Sequence, residues 1–233
     1  LGRLLVDTAL LESDDPPSGN FRVVSPPFFG DPVNTAAFEL EVFKGYLYVG
    51  TATASDGFQL LKTQASGPPP YVFQKVLVKG AYRGAENQNV VSIYPYKDYL
   101  YVGSGINFIG LDFFPDVNPA PAELIRIDAS DRWELVCGDA RNTPAGHKDS
   151  ITGMAAGCDN FFSGYIWRMI EHDGVLYMST FDLSTFTQFF QNVSIDQIKN
   201  AGIFDRYPNL LPLVENRNPH EMGDIIAAVE RGF

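Results

Sequence analysis

The sequence predicts an all-β protein made of four-stranded antiparallel β-propeller blades. The segment KGYLYVGT at residues 44–51 recurs as KDYLYVGS at 97–104 and, less closely, as HDGVLYMST at 172–180. Short runs rich in β-branched and aromatic residues flank each copy, as is typical of strands. Repeated four-stranded units are typical of propellers, because one such sheet cannot bury both of its faces alone.

Each repeat supplies its strands in the same order. The first strand precedes the repeated segment, the second is that segment, and two more follow across Gly, Asp and Pro turns. The predicted flanking strands are AFELEVF (37–43), FQLLKT (58–63), YVFQKVLV (71–78), VVSIYPY (90–96), ELIRID (123–128), DRWELV (131–136) and YIWRMIEH (165–172).

These strands divide the chain into four parts. Residues 1–36 form an N-terminal segment, a candidate part of a preceding blade. Residues 37–79 and 80–136 are one blade each. Residues 137–233 contain an inter-blade loop, an incomplete blade and a helical insertion near the C-terminus, for which the capping-box patterns at Thr185–Gln188 and Ser194–Gln197 are the evidence.

The third repeat unit is incomplete, so the sequence is predicted to form only part of a larger ring. The chain stops at Gly232-Phe233, which corresponds to Gly57-Phe58, where the third strand of the first unit begins. Closed propellers typically have four to eight blades. We therefore expect other chain segments or subunits to complete the propeller.

Within the repeats, most aromatic residues are expected to pack between blades rather than to stack on a ligand. This interpretation covers Tyr48, Tyr101, Tyr177, Trp133 and Trp167. Gly50 and Gly103 are expected where the backbone bends or lies close to a neighbouring element.

The long connections are predicted to emerge on one face. They cover residues 105–122, 137–164 and 184–231, and each either follows a second strand or links two blades. Elaborated loops on a rigid scaffold often carry binding or catalysis. The predicted site therefore lies at this face.

The amino-acid composition restricts which binding partners are expected. The chain has 233 residues, 45% of them hydrophobic, which is typical of a soluble globular protein. Its formal net charge of −11 repels phosphate backbones and anionic membranes, so we expect no nucleic-acid partner. No apolar run is long enough to cross a bilayer. The sequence does not decide between a cytoplasmic and a secreted protein. Asn192 lies in an N-glycosylation sequon, which is glycosylated only in a eukaryotic secretory pathway.

The two cysteines, Cys137 and Cys158, are compatible with one disulfide or with two buried thiols. None of the three histidines is paired at metal-ligand spacing, and no cofactor-binding motif occurs. The sequence therefore predicts neither a metal nor a cofactor.

Asp182 is the candidate functional acid. It occupies the position of Thr53 and Ile106 in the other repeats, so the repeat itself does not require a carboxylate there. At a strand end two residues from Thr180, it is placed to accept a proton or hold a polar ligand. The alternative is that Asp182 caps a helix that follows it.

The run GCDNFFSGYIWRMIEHDGVLYMSTFD (157–182), with the YLYVGT repeats, resembles a group of bacterial β-propeller proteins. Distant relatives in this group are the cyanobacterial enzymes that alkylate resorcinol rings with secondary alkyl chlorides in cylindrocyclophane biosynthesis. Their active sites contain a Thr-x-Asp pair, which Thr180 and Asp182 match. The resemblance implies that the acid activates a phenol as a carbon nucleophile and that an Arg and a Tyr assist the departing chloride. Tyr207 is the candidate for the Tyr by spacing, and no residue of this sequence is assigned to the Arg.

Two functions follow as alternatives. The first is an enzyme, an alkylating transferase, whose funnel binds a small aromatic or apolar substrate, with Asp182 as general base and with apolar contacts from Met154, Phe161, Phe162 and Phe181. The second is a non-catalytic propeller that binds a protein or a glycan through the same loops.

Overall fold

The fold is all-β, as predicted. The structure is a computed structural model, and it describes residues 7–53, 56–106 and 120–182. Its strands are β1 Leu11–Glu12, β2 Arg22–Val23, β3 Ala36–Phe43, β4 Tyr46–Ala52, β5 Leu60–Thr63, β6 Gln74–Leu77, β7 Asn89–Tyr96, β8 Tyr99–Gly105, β9 Leu124–Ile127, β10 Trp133–Cys137, β11 Arg141–Thr143, β12 Gly146–Lys148, β13 Ser163–His172 and β14 Val175–Asp182. The short helical turns are Pro16–Ser18, Pro27–Gly30, Lys79–Tyr82, Gly84–Glu86 and Ala156–Asp159.

Two four-stranded meanders and one hairpin form most of the sheet. Meander 1 pairs β3, β4, β5 and β6 in chain order, and meander 2 pairs β7, β8, β9 and β10 in the same way. The hairpin pairs β13 with β14. All these pairings are antiparallel, and the three repeated segments lie in β4, β8 and β14, the second strand of each unit.

The three units touch through their first strands. Strand β7 lies between β3 and β13 and contacts both. Single backbone pairings, Ala52 with Asn89 and Gly105 with Tyr165, join each unit to the next. The described strands do not close into a ring, so the propeller and its blade number stay a prediction.

The core lies between the units. One apolar cluster joins meanders 1 and 2 and includes Tyr48, Leu60, Val102 and Trp133. A second cluster joins meander 2 to the hairpin and includes Leu124, Ile166 and Met169. Each unit therefore buries a face of its sheet against its neighbour, which is how repeat architectures gain stability.

The N-terminal segment covers the other side of meander 1. Leu10, Val24 and Phe29 pack on Val49 and Leu61 of β4 and β5. Within residues 7–35, β1 and β2 pair only with each other, as a two-stranded sheet. The assignment of residues 1–36 to a preceding blade stays a prediction.

Gly50 and Gly103 lie close to the next unit, as expected. A Cβ atom on Gly50 would sit 2.4 Å from Val90 Cγ1 of the second unit, and one on Gly103 would sit 2.7 Å from Ile166 Cγ2 of the third. Because real Cβ atoms are not found so close to other heavy atoms, only glycine lets the adjacent first strands pack here.

The prediction for the aromatic residues needs a correction. Tyr48 and Trp133 are buried in the core, and Tyr101 packs against the second cluster. Trp167 and Tyr177, in contrast, are 48% and 52% exposed. These two side chains are therefore not buried between units in the described part of the chain.

Cys137 and Cys158 form a disulfide, which decides between the two alternatives that the sequence left open. The bridge ties the end of β10 to the turn that precedes β13. The predicted C-terminal helices and most of the loop 105–122 lie outside the described residues. In the described ranges, no helix combines the length and apolar character needed to cross a bilayer.

Candidate functional site

The first strand of every unit carries a β-bulge at the same place. The register with the second strand shifts between Ala37 and Glu39 in β3, between Val90 and Ser92 in β7, and between Ile166 and Arg168 in β13. The extra residues are Phe38, Val91 and Trp167. Bulges bend a strand and redirect a side chain, and they are frequent beside active sites.

These three residues line one groove. The groove has a volume of about 420 Å³ and lies where the first strands of the three units meet. Its described lining consists of Phe38, Glu39, Asn89, Val91, Tyr165, Trp167, Arg168 and Phe181. A site of this size and largely apolar lining suits a small organic ligand.

Three aromatic rings form one wall of the groove. The ring centroids of Tyr165, Trp167 and Phe181 lie 5.5–5.7 Å apart, within the range of favourable aromatic pairs. Gly105 of β8 makes room for this wall, because a Cβ there would lie 2.4 Å from Tyr165 Cδ1. Phe181 itself occupies the repeat position of Ala52 and Gly105.

One ion pair crosses the groove. Arg168 Nη1 donates to Glu39 Oε1 at 2.9 Å, although the two residues are far apart in sequence. The Glu39 side chain is only 20% exposed, whereas that of Arg168 is 68% exposed. Desolvation raises the pKa of Glu39 even though Arg168 acts to lower it, and the charge of Glu41 raises it further.

The structure brings Phe181 into the groove, but Thr180 and Asp182 do not line it among the described residues. Successive side chains of a strand point to opposite faces, so Thr180 and Asp182 share the face opposite Phe181. Asp182 Oδ2 accepts a hydrogen bond from Asn160 Nδ2 at 2.9 Å. The catalytic role of Asp182 stays a prediction.

The bond between Asn160 and Asp182 has counterparts in the other two units. Asn34 donates to Gln59 Oε1 at 3.2 Å, and Asn87 donates to Glu123 Oε2 at 2.7 Å. Each Asn precedes the first strand of its unit by two or three residues. Gln59 and Glu123 each lie directly before the third strand, whereas Asp182 is the last residue of the second strand. This contact gives Asp182 a structural role beside the predicted chemical one.

Thr180 also has structural counterparts. Thr51 Oγ1 accepts from the backbone N–H of Gln59 at 2.9 Å, and Ser104 Oγ accepts from that of Glu123 at 2.8 Å. In both units the hydroxyl fixes the start of the third strand. Thr180 occupies the same repeat position, and the residues that follow Asp182 in its unit lie outside the described part of the chain.

The other predicted substrate-binding residues lie apart from the groove lining. Phe161 is buried and meets Phe162 edge to face, with ring centroids 5.3 Å apart. Met154 is 41% exposed in the loop after β12. Tyr207 lies outside the described residues.

Sequence reasoning missed Glu39, Trp167 and Arg168. No local motif marks them, because the bulges that direct them inward appear only in the strand register. One signal was present in the sequence: Phe181 is large where the aligned residues are Ala52 and Gly105.

No group of His, Cys, Asp and Glu side chains within the described ranges could hold a metal ion. No protein-family model, curated protein or solved structure matches the chain.

Proposed function

We propose that the protein binds a small aromatic or apolar molecule in the groove between the three first strands. The observation that carries this proposal is the aromatic wall of Tyr165, Trp167 and Phe181, with Trp167 half exposed although it lies beside the junction of three units. Aromatic side chains left open in a concave site provide a large contact area for a flat ligand.

We also propose that the sheets around the groove are blades of a β-propeller. Two four-stranded antiparallel meanders that bury their faces on each other support a β-propeller arrangement in which the groove is part of a central funnel. Within the described part of the chain, the hairpin has an exposed apolar face formed by Ile170, Val175 and Tyr177. This supports further blades beside it, supplied by other segments of the chain or by other subunits.

Binding is tested by saturation-transfer NMR with phenol, resorcinol and indole as probes. Phe181→Ala should weaken their binding about threefold to tenfold, because an aromatic contact is worth roughly that factor. Tyr177→Ala is the matched control, since Tyr177 lies on the same strand but not in the groove lining. Equal affinities for the wild type and Phe181→Ala would overturn the proposal.

The proposed reaction is alkylation of a phenolic ring by a secondary alkyl chloride. A ring carbon bonds to the carbon that carries chlorine, the C–Cl bond breaks and releases chloride, and Asp182 as the general base takes the proton that the phenol loses. The support is the Thr-x-Asp pair on the strand that also carries Phe181. Loss of a general base typically costs about 10²–10⁴ in rate, so Asp182→Asn should show that loss at an unchanged melting temperature. Asp159→Asn, a nearby loop acid, is the control. Unchanged turnover of a resorcinol with a secondary alkyl chloride would remove Asp182 from the reaction.

A further inference from the structure

The turn Ala156–Asp159, which leads into β13, has an unusual backbone conformation. Gly157, Cys158 and Asp159 have φ values of 71°, 53° and 69°, so three consecutive residues lie in the left-handed region. Glycine adopts this region without steric cost, whereas for a residue with a Cβ it is sterically unfavourable. The turn therefore depends on contacts that hold it in this conformation.

A hydrogen bond and the disulfide tie the turn to meander 2. Gly157 donates its backbone N–H to the carbonyl of Ala122 at 2.5 Å, and Cys158 is bonded to Cys137 at the end of β10. Cys137 is 1% exposed and lies in the second apolar cluster, whereas Cys158 is only partly buried. One end of the bridge is therefore fixed in the core, and its more accessible end lies in the turn.

The turn positions Asn160, which contacts the end of β14. The backbone N–H of Asn160 donates to the carbonyl of Gly157 at 3.2 Å. In its side chain, Nδ2 donates to Asp182 Oδ2 at 2.9 Å, and Oδ1 accepts from the backbone N–H of Phe162 at 3.0 Å. Asp182 is the neighbour of Phe181 in the aromatic wall. The disulfide thus lies two residues from a side chain that bonds to the strand end beside the groove.

We propose that the disulfide is a redox-controlled clamp on the end of β14. The intact bridge holds the turn in its left-handed conformation, and Asn160 stays bonded to Asp182. Reduction lets the turn relax to more favourable backbone angles, and this separates Asn160 from Asp182. The inference depends neither on a catalytic role for Asp182 nor on the ligand of the groove.

The reductant is a dithiol, which passes two electrons and two protons to the protein. A thiolate of the dithiol attacks Sγ of Cys158, the more accessible sulfur, so the S–S bond breaks and Cys137 leaves as a thiolate that takes up a proton. The second thiolate of the reductant then attacks the mixed disulfide. This step releases Cys158, which is protonated to the thiol, and the reductant leaves as a cyclic disulfide.

Amide hydrogen exchange measured by NMR tests the release of the turn. The oxidised protein is compared with the protein in excess dithiothreitol, and alkylation followed by mass measurement confirms that both thiols have formed. After reduction, the amides of Gly157, Asn160 and Ser163 should exchange at least about tenfold faster, because the cross-link no longer opposes local opening. The amide of Thr51, bonded to the carbonyl of Gln59 in meander 1, should keep its rate.

The side-chain amide of Asn160 tests the link to β14. Its hydrogen bond to the carboxylate shifts the Nδ2 proton resonances, and oxidised Asp182→Ala gives their position without that bond. Reduction of the wild type should move the resonances to this position. The double variant Cys137→Ala, Cys158→Ala is the matched control, because it has the released turn from the start and dithiothreitol should change nothing in it.

Several outcomes would contradict the inference. Unchanged exchange in the turn after full reduction, or an Asn160 resonance that does not move, would show that the disulfide does not clamp the strand end. Faster exchange at Thr51 as well would make the bridge a stabiliser of the whole fold. A bridge that survives excess dithiothreitol would exclude redox control, and so would a response to dithiothreitol in the double variant. The comparison of oxidised and reduced wild type needs no variant and no groove ligand, so its failure would leave the proposed function standing.

Discussion

Glu123 connects segments that are distant in the sequence. Its side chain is fully buried and accepts two hydrogen bonds from Arg141 at 2.8 Å, one from Asn87 at 2.7 Å, and one from the backbone N–H of Asp139 at 2.8 Å. Arg83, also buried, has its Nε 3.5 Å from the same carboxylate. The acid thus holds the start of β9 against the turn before β7 and the loop after β10.

Glu123→Gln should lower the free energy of unfolding by about 3 kcal/mol, because it leaves buried guanidinium charge without its partner. Urea unfolding provides the measurement. Glu134→Gln is the control, since Glu134 pairs with Arg126 at the surface and should cost no more than about 1 kcal/mol. If Glu123→Gln lowered the free energy of unfolding by less than about 1 kcal/mol, Glu123 would not be needed to neutralise the buried guanidinium groups.

The hydrogen bonds of Asp31 predict that the protein loses stability at acidic pH. Lys75 Nζ and Gln59 Nε2 each donate to Asp31 Oδ2 at 2.7 Å, and these two hydrogen bonds, that from Lys75 first, hold the pKa of Asp31 below its usual range. A depressed carboxyl pKa in the folded state stabilises the protein above the unfolded pKa, which is about 3.9, and this contribution disappears as pH falls through the folded pKa.

Asp31→Asn should therefore destabilise the protein by about 1–2 kcal/mol at neutral pH. The difference from the wild type should stay constant down to about pH 5 and shrink below about pH 4. Unfolding free energies measured from pH 7 to about pH 2 test this. A difference that does not change over that range would show that the carboxylate charge of Asp31 is not involved.

At the scale of the elements, the second strands control how closely the units approach. Gly103 faces both Ser92 and Ile166, and an added Cβ would lie 2.7 Å from Ile166 Cγ2. Ser179 takes the equivalent place in β14, opposite Arg168, and is exposed. A glycine is required at this position only where the first strand of a neighbouring unit lies against it.

Gly103→Ala should destabilise the protein by about 1–3 kcal/mol, because an extra methyl in a closely packed interior forces its neighbours to move. Ser179→Ala, at the same strand position, should change the stability by less than about 0.5 kcal/mol. Thermal and urea unfolding of both variants measure the contrast. Similar losses at the two positions would argue against unit packing as the reason for the glycine.

The elements were predictable from the sequence to a large extent, whereas the site was predictable only in part. The repeated YLYVG pattern and the flanking apolar runs located the strands of both meanders and the hairpin, because alternation and turn residues are local signals. Glu39 and Arg168 belong to separate units, and a bulge precedes each of them. Their meeting depends on register and packing, which no local pattern encodes, and only Phe181 of the groove was anticipated.

At the scale of the whole molecule, the question is whether the N-terminal segment folds together with the meanders. Phe29 is buried between this segment and meander 1, with its ring edge-on to Phe73 at 5.0 Å between centroids. Tyr71 also donates its backbone N–H to the carbonyl of Val24 at 2.7 Å. These contacts favour one cooperative unit rather than an appended segment.

Phe29→Ala should then lower the stability of the whole fold by about 3–5 kcal/mol, the usual cost of removing a buried phenylalanine side chain. Trp133 reports the effect at a distance, because it lies in the core between meanders 1 and 2, and Trp167→Phe makes it the single reporter. The control is Phe21→Ala, since Phe21 is 54% exposed and its loss should cost less than about 0.5 kcal/mol. In a cooperative transition, every probe reports the same loss of stability. An unfolding midpoint at Trp133 that does not change in Phe29→Ala would therefore show that the N-terminal segment unfolds separately.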